Sequence, residues 1–204
     1  VFSLYLQDEI EISENLDIII GARFDSFDIE VFNAVPSSLE TRSRKDEQVS
    51  PRAGIIYKPQ ENVSIYASYS ESFLPRSGEQ FANINGNNNQ LDPDTFANQE
   101  IGIKWDFADG LSLTAALFEN EQSSPQVADN DPSTLDIIDS EISGFELQLA
   151  GQVTDAWSVS FNYSTLDGEI VDRNGGTGRS PREVPESNIS IWNTYQINDV
   201  MGLG

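Results

Sequence analysis

The chain has 204 residues, with 11 Lys and Arg residues against 34 Asp and Glu residues and a formal net charge of -23. So acidic a chain repels nucleic-acid phosphates, and nucleic-acid binding is not expected. The absence of Cys and His excludes disulfide bonds, thiolate or imidazole metal ligands and a His-based catalytic triad. The motifs of serine hydrolases, zinc proteases and phosphate-binding loops are also missing, so we expect no enzyme, no catalytic residue and no cofactor.

The chain contains no stretch that is apolar enough for a membrane-spanning helix. Its longest apolar run, from Ile18 to Ala22, is far shorter than the roughly 20 residues that such a helix needs. The chain opens on Val1 without a starting Met or a signal peptide, and we interpret it as a fragment. Its apolar residues instead recur at every second position, which is the period of a β-strand with two different faces.

The first two predicted strands show this alternation. Leu4, Leu6, Ile10 and Ile12 share one face of the first strand, and Ser3, Tyr5, Gln7, Glu9 and Glu11 share the other. Asp8 breaks the pattern, because it falls in phase with the apolar residues. In the second strand Arg23 falls in the polar phase, and since a cation facing lipid at mid-depth would cost about 2 to 4 kcal/mol, this phase is assigned to the lumen of a barrel. The alternation is lost after Ser26, which predicts a bulge or the point where the strand leaves the membrane.

The central unit is a pair of strands, 52–58 and 63–73, joined by a turn at 59–62. In its second strand Val63, Ile65, Ala67 and Tyr69 alternate with Ser64, Tyr66, Ser68 and Ser70. The later apolar phase contains Ile101, Ile103, Trp105, Phe107, Leu111, Leu113, Ala115, Leu117, Phe145, Leu147, Leu149, Trp157, Val159, Phe161, Tyr163, Ile189, Ile191 and Tyr195. About nine strands are predicted in all.

The connections between the predicted strands alternate in length. Short ones lie at 13–15, 59–62, 108–110, 151–156 and from about 198, and long ones lie at 33–48, 74–95, 122–140 and 171–183. Outer-membrane barrels have short periplasmic turns and long extracellular loops that carry the binding surface. The pattern therefore favours an all-β fold, an antiparallel transmembrane β-barrel, over a soluble β-sandwich, which would explain the strand period equally well.

Aromatic residues lie near the short turns. They are Tyr57, Trp105, Phe107, Trp157 and Tyr195. Such a row is typical of the girdle that a membrane β-barrel places at the interface between lipid and water. The alternative is that they are core aromatics of a soluble sandwich, since aromatic residues are common in strands.

Side chains in the predicted long loops are the candidates for ligand binding. These candidates are Arg42, Arg44, Arg76 and Phe81. The arginines could hold an anionic ligand through charge-assisted hydrogen bonds, and Phe81, with Phe73 on the other side of an Asn-rich stretch, could stack on a planar ligand. Loop 33–48 carries three acidic residues against its three basic ones, so a solvated loop with cancelling charges, and rim packing of the aromatic rings, are the alternatives.

An acidic stretch at 128–141 resembles a calcium loop only in composition. Its acidic residues are Asp129, Asp131, Asp136, Asp139 and Glu141. An EF-hand starting at Asp129 needs Gly at its sixth position and an acid at its twelfth, where this chain has Thr134 and Ser140. A solvated acidic loop explains the stretch, and no metal site is predicted.

Six phrases of the chain resemble successive barrel strands of TonB-dependent outer-membrane receptors of the ferric-siderophore type. They are SPRAGIIYKP, SIYASYSESF, LDPDTFANQEIGIKWDF, LSLTAALFE, SEISGFELQLAGQVTDAWSVSFNYS and VPESNISIW. The opening stretch YLQDEIEISENLDIIIGARFD resembles a strand pair of the same family. The resemblance covers nearly the whole chain, and the phrases follow the family's order and turn spacing.

The resemblance implies a bacterial outer-membrane location and a 22-stranded barrel closed around an N-terminal plug domain. Residues 1–204 would form part of that single barrel domain, with the plug and the closing strands absent. The implied partners are a ferric siderophore or a similar chelate, the TonB complex, which acts through the missing plug, and outer-membrane lipid. Two alternatives remain open: the same architecture importing cobalamin or a glycan, and a small β-barrel or β-sandwich that serves as a binding module.

Overall fold

The computed structural model describes residues 1–33, 40–75, 91–127, 135–172, 177–181 and 184–204. The strands in these ranges are β1 (Phe2–Ser13), β2 (Leu16–Asn33), β3 (Glu40–Gln60), β4 (Val63–Leu74), β5 (Asp94–Ala108), β6 (Leu111–Val127), β7 (Leu135–Thr154), β8 (Trp157–Asp172), β9 (Thr177–Arg179), β10 (Ser187–Gln196) and β11 (Gly202–Leu203). Within the same ranges, no helix has the length and apolar character needed to span a bilayer.

All eleven strands belong to one antiparallel sheet. From β1 to β8 each strand pairs with the next strand along the chain, β10 pairs with β8 and β11, and the short β9 also pairs with β8. The outer edges of β1 and β11 remain open in the described part of the chain. The antiparallel all-β prediction is confirmed, and the strands beyond the predicted nine are β9 and β11, which have 3 and 2 residues and are too short to show a period.

The strand register separates two faces of the sheet, because directly paired residues on neighbouring strands point to the same side. One row across the sheet contains Ile18, Ile55, Ala67, Ile101, Leu117 and Phe145. The next row contains Ile19, Gly54, Ser68, Glu100, Phe118 and Gly144. We call the side of the first row the apolar face and the side of the second row the polar face; the predicted phases of the strands fall on these two faces.

Nothing in the described part of the chain covers the apolar face. Ile55, Ile101 and Leu117 are 44%, 55% and 58% exposed. Among the described residues the buried apolar side chains are Leu91 and Ala116 alone. A β-sandwich buries its apolar rows between two sheets, whereas these ranges form a single sheet. The arrangement therefore does not support the sandwich alternative, and an uncovered apolar face is what a sheet facing lipid requires.

The short turns and the aromatic residues lie together at one end of the sheet. Two-residue turns join four hairpins, at 14–15, 61–62, 109–110 and 155–156, and the left-handed φ of 78° at Gly110 explains the glycine there. The five aromatic residues predicted for the girdle are all exposed. Trp105 and Phe107 are ring neighbours with centroids 5.5 Å apart, and Trp157 pairs directly with Tyr195.

At the other end, the apolar face gives way to carboxylates. One row across β4 to β8 contains Glu71, Ala97, Glu121, Glu141 and Glu169. Hydrocarbon does not accommodate so many adjacent carboxylates, so this row marks the level at which the strands enter water. The acidic stretch of the sequence analysis thus lies partly in a strand, because Glu141 is a residue of β7.

Several strands continue well beyond the ends predicted for them. β2 and β3 stay paired as far as Asn33 and Glu40 without a register shift, so the bulge alternative after Ser26 is wrong, and residues 40–48 of the predicted loop 33–48 belong to β3 instead. In the same way, β6 and β7 pair as far as Val127 and Leu135. The apolar period stops where both faces meet water, but the backbone hydrogen bonds of the sheet continue past that point.

Candidate functional site on the polar face

Arg23 lies on the polar face, as predicted, and is fixed there by a carboxylate. Its guanidinium donates two hydrogen bonds to Asp25, of 2.8 Å from Nε and 2.9 Å from Nη2. Ser3 on β1 donates a third hydrogen bond to the same carboxylate. Asp25 is buried while half of the Arg23 side chain stays exposed, so the pair is close to neutral and keeps a polar edge toward the space beside the sheet.

A second ion pair lies near the short turns. Lys58 Nζ lies 2.6 Å from an oxygen of Asp17, which is nearly buried between neighbouring strands. Asn15 in the adjacent turn donates its side-chain amide to the carbonyl of Lys58. The last cation of β3 is thereby attached to the first hairpin and neutralised.

Arg44, one of the predicted ligand-binding residues, lies in β3 rather than in a loop. Its guanidinium lies 2.7 Å from Asp46, and the two side chains are only 8% and 4% exposed. Nη2 also donates a hydrogen bond of 2.5 Å to the backbone carbonyl of Leu91, one of the two buried apolar residues. These contacts fasten segment 91–93 to β3. Ligand binding by Arg44 stays a prediction, but the side chain already has a structural role.

The neighbouring residues of β3 form an exposed ion pair on the opposite face. Lys45 Nζ lies 2.6 Å from Glu47, and Ser26 on β2 donates a hydrogen bond of 3.2 Å to the same carboxylate. The hydrogen bond from Lys45 lowers the pKa of Glu47, and its partner Glu47 raises the pKa of Lys45. Both residues lie beyond the apolar stretch of β3, where the strand is in water.

Tyr66 forms a cluster in the middle of the polar face that the sequence analysis did not identify. Its side chain lies directly over Gly102, where an added Cβ would come within 2.5 Å of the hydroxyl oxygen and within 2.6 and 2.8 Å of two ring carbons. Its hydroxyl donates a hydrogen bond of 2.5 Å to Glu100, and Lys104 Nζ lies 5.6 Å from the ring centroid. The available signal was a lone tyrosine among serines in the polar phase, opposite a glycine.

Arg52 lies on the same face beside a recess that the sequence analysis also missed. The recess has a volume of about 550 Å³, and its lining includes Arg23, Arg52, Ser50 and Ser70. A Cβ added at the facing Gly21 would lie 3.2 Å from Cγ of Arg52, so the glycine makes room for the arginine stem. Within the described ranges Arg52 has no ion pair with a carboxylate, so its guanidinium beside the recess is available to meet an anion.

For the other predicted binding residues the structure shows fewer contacts. Arg42 belongs to β3, where its backbone pairs with that of Val31. Arg76 and Phe81 lie outside the described residues. Phe73 makes an edge-on ring contact with Phe27, with centroids 5.7 Å apart. Ligand binding by these residues stays a prediction.

The acidic stretch contributes strand residues rather than a recognisable metal site. Residues 128–134 lie outside the described residues, and Asp139 accepts a hydrogen bond of 2.7 Å from Ser123 on the neighbouring strand. Across the part of the chain that the structure describes, no group of three or more acidic side chains is arranged to hold a metal ion.

Comparison with known proteins places this sheet in a family. The family model described as TonB dependent receptor-like, beta-barrel matches residues 1–204. The chain is 35% identical over 223 residues to a probable TonB-dependent siderophore receptor, PiuA, of Acinetobacter baumannii, an alignment that covers 99% of this chain and 30% of that protein. It is 26% identical over 236 residues to the catecholate siderophore receptor Fiu of Escherichia coli K12, covering 100% and 31%.

Solved structures give the same result. The crystal structure of the siderophore receptor PiuA from Acinetobacter baumannii superimposes with a TM-score of 0.81 at 36% identity, over 96% of this chain and 31% of that one. The ferric-catecholate import receptor Fiu in its closed form superimposes with a TM-score of 0.77 at 24% identity, over 97% and 32%, which shows the shared fold. The chain thus spans about a third of the length of these relatives. It belongs to the TonB-dependent receptor family, whose members are β-barrel proteins of the bacterial outer membrane.

Proposed function

We propose that the chain forms part of the barrel wall of a receptor that imports a ferric siderophore across the outer membrane with energy delivered by the TonB complex. The observation that carries the proposal is a single sheet with one bare apolar face and one charged face. Such a sheet separates lipid from an aqueous path. The relative with 35% identity, which is named a siderophore receptor, supports iron chelates as the cargo.

The charges of the polar face suit a wall along which an anionic chelate moves. Two of its cations, Arg23 and Lys58, are each held by a carboxylate within 2.8 Å. Paired charges present polar surface without the strong field that would trap an anion on the wall. In this proposal the long connections at the end of the sheet opposite the tight turns capture the chelate. Movement of a plug domain then opens a path along the polar face. The wall performs no catalytic step.

We also propose that these strands are completed by others into a closed barrel of 22 strands around a plug. The open edges of β1 and β11 expose backbone N–H and C=O groups that hydrocarbon cannot satisfy, so membrane insertion requires further strands on both sides. The relatives are about three times as long as this chain, which leaves ample length for those strands and for a plug.

Growth under iron limitation tests the proposed function. A strain that lacks the full-length gene would be supplied with single ferric chelates, including catecholate and hydroxamate types, and uptake of radioactive iron would be measured. Uptake of at least one chelate should be lost on deletion, be restored by the gene and disappear when TonB is absent. Unchanged uptake of every chelate, together with lost uptake of cobalamin or of a glycan, would overturn the iron assignment while keeping the transporter.

A further inference from the structure

Asp8, which breaks the alternation of β1, indicates a contact across the free edge of that strand. In the register of β1 and β2, Asp8 pairs with Ile20, and both residues lie on the apolar face. The other apolar-face residues of β1 lie to both sides of it: Phe2, Leu4 and Leu6 toward one end, and Ile10 and Ile12 toward the short turn. Asp8 therefore interrupts the apolar stretch of β1, with apolar-face residues of the same strand on both sides of it.

Nothing in the described part of the chain satisfies this carboxylate. The cations of the neighbouring strands β2 and β3 that could approach its level, Arg23 and Arg52, project from the polar face. An aspartate on the lipid face of a barrel is unfavourable, and more so the closer it is to mid-depth. A buried carboxylate is normally retained where a donor satisfies it.

We infer that the strand that pairs with the free edge of β1 carries a hydrogen-bond donor opposite Asp8, so that the two side chains form a polar contact on the lipid face. The donor would be the N–H or O–H group of a Lys, Arg, Asn, Gln, Ser, Thr, Tyr or Trp side chain. Direct neighbours in an antiparallel pair have Cβ atoms about 5 Å apart, which is within reach for any of them. The inference rests on the proposed closed barrel, because only closure covers this edge.

Such a contact would fix the register at this edge of the sheet. A one-residue slip of the neighbouring strand would move the donor to the other face and leave Asp8 alone in lipid. The apolar residues of β1 distinguish less strongly between registers, because they face the same lipid after the neighbouring strand has shifted by two residues.

Substitution of Asp8 in the full-length receptor should change the stability in opposite directions for the two cases. It lowers the stability if the carboxylate has a hydrogen-bond partner and raises it if the carboxylate has none. The measured quantity is the urea concentration at the midpoint of unfolding in lipid vesicles. The folded fraction is read from gels, on which the folded and the heat-denatured barrel migrate differently. With a partner present, Asp8→Leu leaves the donor unsatisfied and should lower the midpoint, and Asp8→Asn should lower it less. A midpoint raised by Asp8→Leu would show a lone carboxylate and would overturn the inference.

The matched control is Ile10→Asp, which adds a carboxylate to the same face of the same strand at a position that naturally carries an apolar side chain. It should lower the midpoint. An unchanged midpoint for this variant would mean that the face does not meet lipid, which would overturn the proposed barrel together with the inference. Neither measurement depends on iron uptake, so a wrong cargo assignment leaves both results interpretable.

Disulfide mapping identifies the partner directly, because residues 1–204 contain no cysteine. Asp8→Cys would be combined with single cysteines along the preceding strand of the full-length receptor, and the efficiency of cross-linking would be scored. The position that cross-links best should carry a donor side chain in the natural sequence. An apolar residue there, with no donor two positions before or after it, would overturn the inference, as would a failure of every position to cross-link.

Discussion

Replacement of Arg44 by methionine separates a structural role from a ligand-binding one. The side chains of Arg44 and Asp46 are 8% and 4% exposed, and their closest atoms are 2.7 Å apart. Arg44→Met keeps much of the stem but removes the guanidinium that contacts both the Asp46 carboxylate and the Leu91 carbonyl. The variant should therefore be less stable whether or not a ligand is present.

The size of the effect follows from these contacts. Loss of one partner of a buried ion pair costs about 3 to 5 kcal/mol, and a hydrogen bond from a charged donor contributes about 1.5 to 3 kcal/mol. One guanidinium makes both contacts, so the two contributions overlap, and we expect a loss of about 3 kcal/mol in the free energy of unfolding. The double variant Arg44→Met with Asp46→Leu should recover part of it, because it also removes the buried negative charge that the guanidinium contacts.

The assay is urea unfolding of the full-length receptor in lipid vesicles, with limited proteolysis to report on segment 91–93. Lys45→Met is the matched control: it removes the adjacent cation of the same strand, whose pair with Glu47 is exposed, and it should change the midpoint little. If Arg44→Met unfolds like the natural protein but no longer binds the ferric chelate, the anchoring role is refuted and the ligand-binding prediction is supported.

Three further predictions concern the faces and their charges. Ile191→Lys on the exposed apolar face of β10 should destabilise the full-length receptor in vesicles by about 2 to 4 kcal/mol, whereas Ser190→Lys, which points to the polar face, should be nearly neutral; equal effects would contradict the assignment of the faces. Gly102→Ala should lower the unfolding midpoint, by about 1 to 3 kcal/mol in stability, because the new Cβ would lie 2.5 Å from the hydroxyl oxygen of Tyr66 and 2.6 Å from its nearest ring carbon. Gly54→Ala is the control: its nearest atom lies at an ordinary 3.6 Å, so it should be tolerated. The pKa of Glu47 lies below its ordinary value of 4.5 because Lys45 donates a hydrogen bond to it. The stabilising effect of this pair is therefore present above pH 4.5 and is lost as the pH falls through the lower folded-state pKa. Glu47→Gln should flatten that part of the acid-stability curve at low salt, and an unchanged curve would show that the pair contributes nothing.

The two faces of the sheet could be predicted from the sequence because the contrast between lipid and water repeats at every second residue. Ala67, Ile101 and Leu117 were assigned to the apolar phase by period alone, and the register places them in one row. The same reasoning put Arg23 on the opposite side, where it pairs with Asp25. These assignments depend only on whether a residue occupies an odd or an even position along its strand, which can be read directly from the sequence.

The strand ends and the site residues could not be predicted in the same way. Above the carboxylate row both faces meet water, so no contrast marks the continuation of β2 and β3, and Arg44 was assigned to a loop. Its contact with Leu91 joins residues 47 positions apart, and no local pattern reports it. The ring of Tyr66 over Gly102 likewise depends on which strands are neighbours and on their register.

The serial pairing of strands, with two-residue turns at one end, limits how such a wall can change during evolution. Deletion or duplication of a whole hairpin returns the chain to the side from which it left, so every tight turn stays on its own side of the bilayer. Loss of a single strand would move to the periplasm those ends of all later strands that lie opposite the tight turns. Barrels of this kind should therefore gain and lose strands in pairs, and their size should vary in even steps.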